Sequence, residues 1–173
     1  MGRSGRKWFI IPIITLNWHK ILFQGHSISN LDVKSRVVLP SKFRKVMNPE
    51  ASNTLVLTRG MDECIMVYPL DEWERVKKGL MNYNVFNSQE RFFMRQFLMF
   101  VHECELDSHN RFLLPSHLIE FAHIKKEVLI LGMLTKIEIW DPAMKDTYDK
   151  QHPETYENVA QSVTESIFNK LGQ

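Results

Sequence analysis

The chain has 173 residues, of which 44% are hydrophobic and 24% charged, a composition typical of globular domains and unlike that of disordered or fibrous proteins. The 22 basic and 20 acidic residues give a formal net charge of +2, so a global basic field is excluded and any nucleic-acid binding must come from a local patch. The cysteines, Cys64 and Cys104, form no CxxC pattern and are too few for a disulfide framework, which favours buried thiols in a reducing cytoplasm.

The first 21 residues carry four basic residues and no acidic one, and they contain an apolar run from Trp8 to Leu16. This run is shorter than the roughly 20 apolar residues that span a membrane, Pro12 interrupts it, and no small-residue cleavage site follows it. We therefore expect residues 1–21 to be an extension outside the fold, with no membrane association.

The next segment predicts a small β-rich unit. Alternating polar and apolar residues from His26 to Leu31 indicate a half-buried strand. The segment Leu31 to Ser41 follows, and Ser41 is placed to cap a short helix. The unit ends with two predicted strands and the turn between them, at residues 54–58, 64–68 and 59–62.

Two helices are predicted beyond this unit. The first is expected to be capped by Asp71 and to have an apolar face formed by Trp73, Val76 and Leu80. Ser88 is placed to open the second, over residues 89–100, which has too many apolar side chains for a helix packed on one side only. We expect this second helix to lie in an interface, with part of the contact made by Phe92, Phe97 and Phe100.

The β-rich unit is written twice. Residues 106–116 match residues 31–41 at six of eleven positions, 75 residues further along the chain. The second copy also has a preceding alternating segment, a helix that Ser116 is placed to cap, and two strand-like runs, at residues 128–131 and 136–140. Beyond residue 144 the chain is polar and helix-prone, and we expect residues 151–173 to be a mobile or partner-dependent tail.

Several motifs occur in a definite order and spacing. They are the paired Asp-x-x-x-Arg-x-x-Leu-Pro segments at residues 32–40 and 107–115, with flanking sequences at residues 68–73, 126–128 and 138–141. With these motifs, the chain from Phe23 to Met144 resembles the MraZ family, bacterial regulators built from two SpoVT-AbrB-type modules. The resemblance implies a mainly β fold with helical insertions (α+β), in which two AbrB-like swapped-hairpin halves pair within one chain as a pseudo-dimer.

The resemblance also divides the chain. It implies one domain at residues 26–72 and a second at residues 101–144, joined by a helical connector at residues 73–100. Residues 1–21 precede the fold in this interpretation, and residues 145–173 form a polar C-terminal tail. Family members typically begin with Met-Phe-x-Gly, which corresponds here to Leu22–Gly25, so translation is expected to begin at Leu22.

The function implied by the resemblance is sequence-specific DNA binding by a transcriptional regulator. The expected partners are double-stranded DNA and further copies of the chain in a ring-like homo-oligomer. The DNA is expected to contain direct repeats in the promoter of a cell-division and cell-wall gene cluster, including the chain's own gene. A cytoplasmic, nucleoid-associated location is implied, with no cofactor and no enzymatic activity. The alternative is a cytoplasmic oligomeric scaffold or protein-interaction ring without DNA binding.

The candidate DNA-binding residues of the first copy are five cations with no acidic residue between them: Lys34, Arg36, Lys42, Arg44 and Lys45. Such a run can track phosphates, and Arg36 can offer two donors to a guanine edge or a phosphate. A solvated surface face is the alternative. Residues 101–144 hold four basic and seven acidic residues, so we expect the first copy to contact DNA and the second to complete the scaffold and the subunit interfaces.

The second motif arginine, Arg111, has two interpretations, a secondary DNA contact and a structural ion pair to Asp107, and the ion pair is favoured. Asp32 and Asp107 are expected to accept backbone N–H groups at the turns rather than to act as acid and base. The family usually has glycine before the motif arginine, where this chain has Ser35 and Asn110. Either the first turn differs in geometry or Ser35 is strained.

Other chemical sites are not predicted. Four histidines lie between residues 102 and 123, but their spacing fits no common set of metal ligands and no cysteine pair joins them. The sequence contains no P-loop, dinucleotide-binding or nucleophile-elbow motif. We therefore expect no metal site and no catalytic residues.

Overall fold

The computed structural model describes residues 23–152 and 154–171, so the expectations for residues 1–21 and for a start at Leu22 lie outside the described residues. The fold is mixed α and β. Its strands are β1 His26–Asn30, β2 Arg36–Val38, β3 Thr54–Arg59, β4 Ile65–Pro69, β5 His102–Glu105, β6 Arg111–Leu113, β7 Glu127–Met133 and β8 Lys136–Trp140. Its helices are α1 Ser41–Arg44, α2 Leu70–Leu80, α3 Ser88–Leu98, α4 Ser116–Phe121, α5 Pro142–Gln151 and α6 Tyr156–Leu171, and a short 3-10 turn spans Pro49–Ala51.

The two copies exchange strands. Six strands form an antiparallel sheet in the order β1-β7-β8-β4-β3-β5, while β2 and β6 form a separate two-stranded ribbon. In the sheet, β1 of the first copy pairs with β7 of the second, and β5 of the second copy pairs with β3 of the first. The centre of the sheet is the pair β4 and β8, again one strand from each copy. The intrachain pseudo-dimer of swapped halves is therefore confirmed.

The β2–β6 ribbon lies on the pseudo-two-fold axis that relates the copies. Val37 pairs with Phe112, and these two residues occupy the same position in the repeat. The hydrogen bonds around them are also repeated: Leu39 N–H donates to the carbonyl of Asn110 at 2.9 Å, and Leu114 N–H donates to that of Ser35 at 2.8 Å. The two motif segments consequently meet in one antiparallel ribbon.

The main core lies beneath this ribbon and is shared by both copies. Repeat-related pairs of apolar side chains fill it, each at most 2% exposed: Val37 with Phe112, Leu39 with Leu114, and Phe43 with Leu118. Burying one such side chain contributes about 1.5–3 kcal/mol. Because half of this core comes from the other copy, neither half alone could bury enough apolar surface to be stable.

The predicted serine caps of the short helices are wrong. α1 and α4 begin at Ser41 and Ser116, and the capping positions are Pro40 and Pro115, with no side-chain cap. The Pro40 carbonyl accepts from Phe43 N–H at 2.9 Å, so the extended proline itself starts the first turn. The proline ring restricts φ, so the backbone enters the helix in a fixed direction without a side-chain cap.

The predicted caps of the longer helices are also displaced. α2 begins at Leu70 rather than after Asp71, and the Asp71 carboxylate instead accepts a hydrogen bond from the Asn48 amide at 2.6 Å. α3 begins one residue early, because the Asn87 side chain accepts from the backbone N–H groups of Gln89 and Glu90. A side chain can cap only when its residue stands just outside the first turn, and this position depends on the preceding loop.

A second apolar cluster joins the helices to the sheet. The predicted face of α2 is confirmed: Trp73 is buried, and Val76 and Leu80 pack against the cluster. The prediction for the aromatic surface of α3 is partly wrong, because Phe97 is 5% exposed and its ring lies 5.9 Å from that of Trp73. Phe100 lies beyond the helix and is half-buried, with the Arg59 guanidinium over its ring. Phe92, at 65% exposed, remains on the surface.

The C-terminal segment contains two helices. The Asp141 carboxylate caps α5 by accepting from Ala143 N–H at 3.0 Å and Met144 N–H at 3.3 Å. α6 then covers most of the segment predicted to be a tail, and its side chains up to residue 167 are largely exposed. Among the described residues, no helix is both long enough and apolar enough to cross a bilayer.

Candidate nucleic-acid interface

Each copy places its motif arginine after a tight turn held by an aspartate. The Asp32 carboxylate accepts from the backbone N–H groups of Lys34 at 2.8 Å and Arg36 at 2.9 Å. Asp107 accepts in the same way from His109 and Arg111, at 2.8 and 2.9 Å. These bonds satisfy turn N–H groups that have no strand partner, so each aspartate fixes the start of its ribbon strand.

The residue before each arginine has a left-handed backbone. Ser35 has φ of 59° and Asn110 has φ of 58°, so the two turns have the same geometry although the family glycine is replaced in both. This conformation costs an L-residue about 1–2 kcal/mol, and asparagine tolerates it better than serine does. Ser35 therefore carries strain, and the direction of Arg36 is preserved.

The two arginines and two aspartates form a four-charge cluster across the pseudo-two-fold axis, which we call the quartet. Arg36 contacts Asp32 Oδ2 through Nε at 2.9 Å and through one terminal nitrogen at 2.8 Å. Arg111 contacts Asp107 Oδ2 in the same way, at 2.8 Å through each nitrogen. Across the axis, the other terminal nitrogen of Arg36 lies 3.6 Å from Asp107 Oδ2. That of Arg111 lies 3.7 Å from Asp32 Oδ2.

The quartet keeps its carboxylates ionised. The pKa of Asp32 is lowered from 3.8 to about 2, mainly by the backbone N–H and the side chain of Arg36. The pKa of Asp107 is lowered to about 2, mainly by the side chain and the backbone N–H of Arg111. The two positive and two negative charges then cancel. The quartet therefore orients the arginine side chains but contributes no long-range attraction for DNA.

Sequence reasoning missed the symmetry of these charges. It considered an ion pair for Arg111 but none for Arg36, whereas both guanidiniums are paired and their side chains are 28% and 26% exposed. The missed signal is the spacing, because Asp32 precedes Arg36 by four residues just as Asp107 precedes Arg111. The difference between the copies therefore does not lie at the motif arginines.

The outward face of the ribbon also carries apolar side chains that sequence reasoning did not select. Val38 and Leu113 are 46% and 43% exposed, and in the ribbon they pair with Arg111 and Arg36. Side chains two residues apart in a strand share a face. Arg36 and Val38 therefore lie on the face opposite the buried Val37, and placing Val37 in the core would have identified this outward face. The result is a small surface on which each arginine adjoins an apolar side chain.

The copies do differ in the residues that flank the quartet. Lys34 and Lys45 are exposed and Arg44 is half-buried, while Lys42 donates to the carbonyl of His26 and lies 5.1 Å from the Phe43 ring. In the second copy, the residues at the positions of Lys34, Lys42, Arg44 and Lys45 are His109, His117, Ile119 and Glu120. The flanking charge is thus positive on the first copy alone, and we call Lys34, Lys42, Arg44 and Lys45 the basic flank.

The described residues offer little for other chemistry. No group of three or more His, Cys, Asp or Glu side chains in this part of the chain could hold a metal ion. Burial raises the pKa of the Cys64 thiol to about 12 and that of Cys104 to about 11, so neither is an activated nucleophile. Asp32 and Asp107 are both tied to arginines and backbone N–H groups, which removes them from acid-base work.

A comparison with protein families finds the same duplication. The MraZ family model matches residues 22–96 and again residues 97–166. The two matches meet close to the end of α3, so each contains one Asp-x-x-x-Arg segment and one half of the sheet.

Curated relatives match over most of the chain. A protein of Natranaerobius thermophilus named Transcriptional regulator MraZ is 38% identical over 144 residues, covering 83% of this chain and 98% of the relative. Its counterpart in Syntrophobacter fumaroxidans, with the same name, is 37% identical and covers 81% of this chain and 93% of the relative. With the duplicated family match, the exchanged strands and the paired motif turns, the chain belongs to the MraZ family.

Proposed function

We propose that this chain is a sequence-specific DNA-binding transcriptional regulator, in which the β2–β6 ribbon reads the major groove. Its relatives are named transcriptional regulators, in keeping with the expectation that it is not an enzyme. The observation that carries the proposal is a pair of preoriented, partly exposed arginines on a narrow ribbon with the basic flank beside it.

The shape of the ribbon supports this role. Its two strands are three residues long, and neighbouring strands lie about 4.8 Å apart. The major groove of B-DNA, about 12 Å wide, admits a two-stranded ribbon. The outward face would then present Arg36 and Arg111 to base edges, with Val38 and Leu113 available to thymine methyl groups.

The quartet holds the side chains of Arg36 and Arg111 in place before DNA binds. Nε and one terminal nitrogen of each arginine are held by its own aspartate, whereas the cross-axis contacts of 3.6 and 3.7 Å exceed the normal hydrogen-bond length. The second terminal nitrogen of each guanidinium is therefore available to an acceptor on DNA. Because the side chains are already fixed, binding costs less conformational entropy than it would for free arginines.

The basic flank supplies the attraction that the neutral quartet lacks. Lys34, Arg44 and Lys45 make no side-chain hydrogen bond or ion pair within the described part of the chain, so each can meet a phosphate. Phosphate contacts position a protein on the duplex, whereas base contacts specify the sequence. We assign the first role to Lys34, Arg44 and Lys45 of the basic flank, because Lys42 is already bonded to the His26 carbonyl. We assign the second role to the ribbon, with Arg36 the stronger contact and Arg111 the weaker.

An oligomer would bring several such ribbons to the same DNA. A short ribbon with one flank makes few contacts, and a homo-oligomer that binds several repeats together gains affinity through effective concentration. We therefore propose a ring-like assembly on direct repeats in the promoter of a cell-division and cell-wall gene cluster that includes the chain's own gene. Its location would be the cytoplasm, in association with the nucleoid.

A matched pair of variants tests the DNA contact. Arg36→Ala and Arg111→Ala remove symmetry-related side chains with the same pairing, so their effects on the fold should match. In fluorescence anisotropy with DNA from the gene's own upstream region, Arg36→Ala should weaken binding roughly 10- to 100-fold, because one good arginine contact is worth about 1–3 kcal/mol. Arg111→Ala should weaken it less. Unchanged binding by Arg36→Ala would overturn the proposal and favour a scaffold that does not bind DNA.

A further inference from the structure

Helix α3 presents a second, unexplained surface far from the ribbon in sequence. An open groove of about 390 Å³ is lined by Tyr83, Arg91, Met94, Arg95 and Leu98, and we call it the α3 groove. Phe92 and Met99 lie one helical turn from Arg95 and so form the rim of this groove, where Phe92 also lines a neighbouring pocket with Phe93 and Phe97. Tyr83, Phe92, Leu98 and Met99 are between 39% and 67% exposed. An exposed apolar patch of this kind is often an interaction site.

Helix α6 carries an apolar face with nothing packed on it among the described residues. Tyr156, Val159, Val163 and Ile167 recur at intervals of three and four residues, which places them on one side of the helix. They are between 38% and 82% exposed. We call these four residues the α6 stripe. Most helical stability in proteins comes from packing an apolar face, so a bare stripe of this length requires a partner.

The charges of the two surfaces are complementary. Residues 154–167 contain Glu154, Glu157 and Glu165 and no Lys or Arg, and Lys170 follows in the last turn of α6. In the α3 groove, Arg91 donates to the carbonyl of Val85 at 2.7 Å, while Arg95 is exposed and makes no side-chain contact of this kind within the described residues. At about 100° per residue, Glu157 borders the α6 stripe, and Glu165 lies on the opposite face.

We propose that the α6 stripe of one copy of the chain docks in the α3 groove of a neighbouring copy, with Glu157 facing Arg95. This docking contact rests on the proposed ring-like assembly and identifies the surfaces that would join neighbouring chains in it. Each chain has one groove and one stripe. A head-to-tail row of chains therefore has a free groove at one end and a free stripe at the other until the ring closes.

The available area is sufficient for such a contact. The four exposed apolar side chains of the groove and its rim and the four of the stripe together expose on the order of 800 Å². Because about 57% of a typical interface is apolar, the whole contact would bury about 1,400 Å². Stable, specific interfaces bury about 1,200–2,000 Å², so a single stripe in a single groove reaches the ordinary size.

Disulfide trapping between two single variants tests which surfaces meet. Leu98→Cys places a thiol on the α3 groove, and Val163→Cys places one on the α6 stripe; both positions are exposed. Under mild oxidation, a mixture of the two full-length variants should give a disulfide-linked dimer that neither variant gives alone. The wild-type chain is the control for its own cysteines. Crosslinking of Val163→Cys alone would show paired stripes, crosslinking of Leu98→Cys alone would show paired grooves, and either result would overturn the proposal.

Mass measurements by light scattering separate this inference from the proposed function. Val163→Asp should lower the mass of the assembly and weaken association at least tenfold, while the circular dichroism of the fold is retained. Arg95→Glu and Glu157→Arg should each weaken association about fivefold, and the double variant should restore it; Glu165→Lys is the control. An oligomer that Val163→Asp leaves intact would overturn the docking contact alone. A monomeric wild-type chain would overturn the assembly as well, without touching DNA binding through Arg36.

Discussion

Strain at Ser35 leads to a stability prediction whose size follows from the backbone. Ser35 has φ of 59°, a conformation that costs an L-residue about 1–2 kcal/mol relative to its usual regions. Ser35→Gly removes this cost but adds about 0.5–1 kcal/mol of chain entropy to the unfolded state. We therefore expect a net stabilisation of about 0.5–1 kcal/mol, even though the variant deletes a side chain.

The assay is thermal or urea unfolding at a fixed protein concentration, because self-association shifts the midpoint. For a chain of 173 residues, this stabilisation should raise Tm by about 1–4 °C. The second copy provides the matched control, since Asn110 has φ of 58° in the same turn: Asn110→Ser should lower the stability by about 0.5 kcal/mol. A Ser35→Gly variant that is no more stable than the wild type would refute the strain argument.

Two further predictions concern ionisable groups. The carboxyl carbons of Asp32 and Asp107 should titrate near pH 2 by NMR, since the pKa of each is about 2 in the folded chain against an ordinary 3.8. Because the folded-state pKa is the lower one, the quartet stabilises the fold above pH 4, and this stabilisation is lost as the pH falls towards 2; a midpoint near 4 would contradict the ion pairing. The thiols of Cys64 and Cys104 should react with a disulfide reagent at pH 8 more than tenfold slower in the folded chain than in urea, because burial raises the pKa of both. Equal rates would show that neither is protected.

The elements of the sheet were predictable because they depend on local patterns. Alternation of apolar residues located β1 and β5, and the repeat related the two copies before any pairing was known. The capping residues were not predictable in the same way. Ser41 and Asp71 are good caps in isolation, but Pro40 and Pro69 precede them and take the capping positions.

The candidate site was predictable in its residues but not in its pairing. The composition of residues 34–45 identified the cations, and the Asp-x-x-x-Arg spacing was visible in both copies. The quartet requires in addition that Val37 pair with Phe112, which brings residues 75 positions apart to one axis. Such a register is set by packing in the shared core, and a single strand of three residues does not encode it.

The most direct test of the account is the salt dependence of binding to DNA from the gene's own promoter. If Lys34, Arg44 and Lys45 each neutralise one phosphate, the slope of log K against log salt should be about −2.7 per chain, so affinity falls roughly 40-fold between 50 and 200 mM salt. Replacing all three with glutamine should bring the slope close to zero, whereas Glu120→Gln, at the equivalent of Lys45, should not make it shallower. An affinity that does not change with salt, or a slope that the triple variant leaves unchanged, would contradict a DNA interface on the first copy.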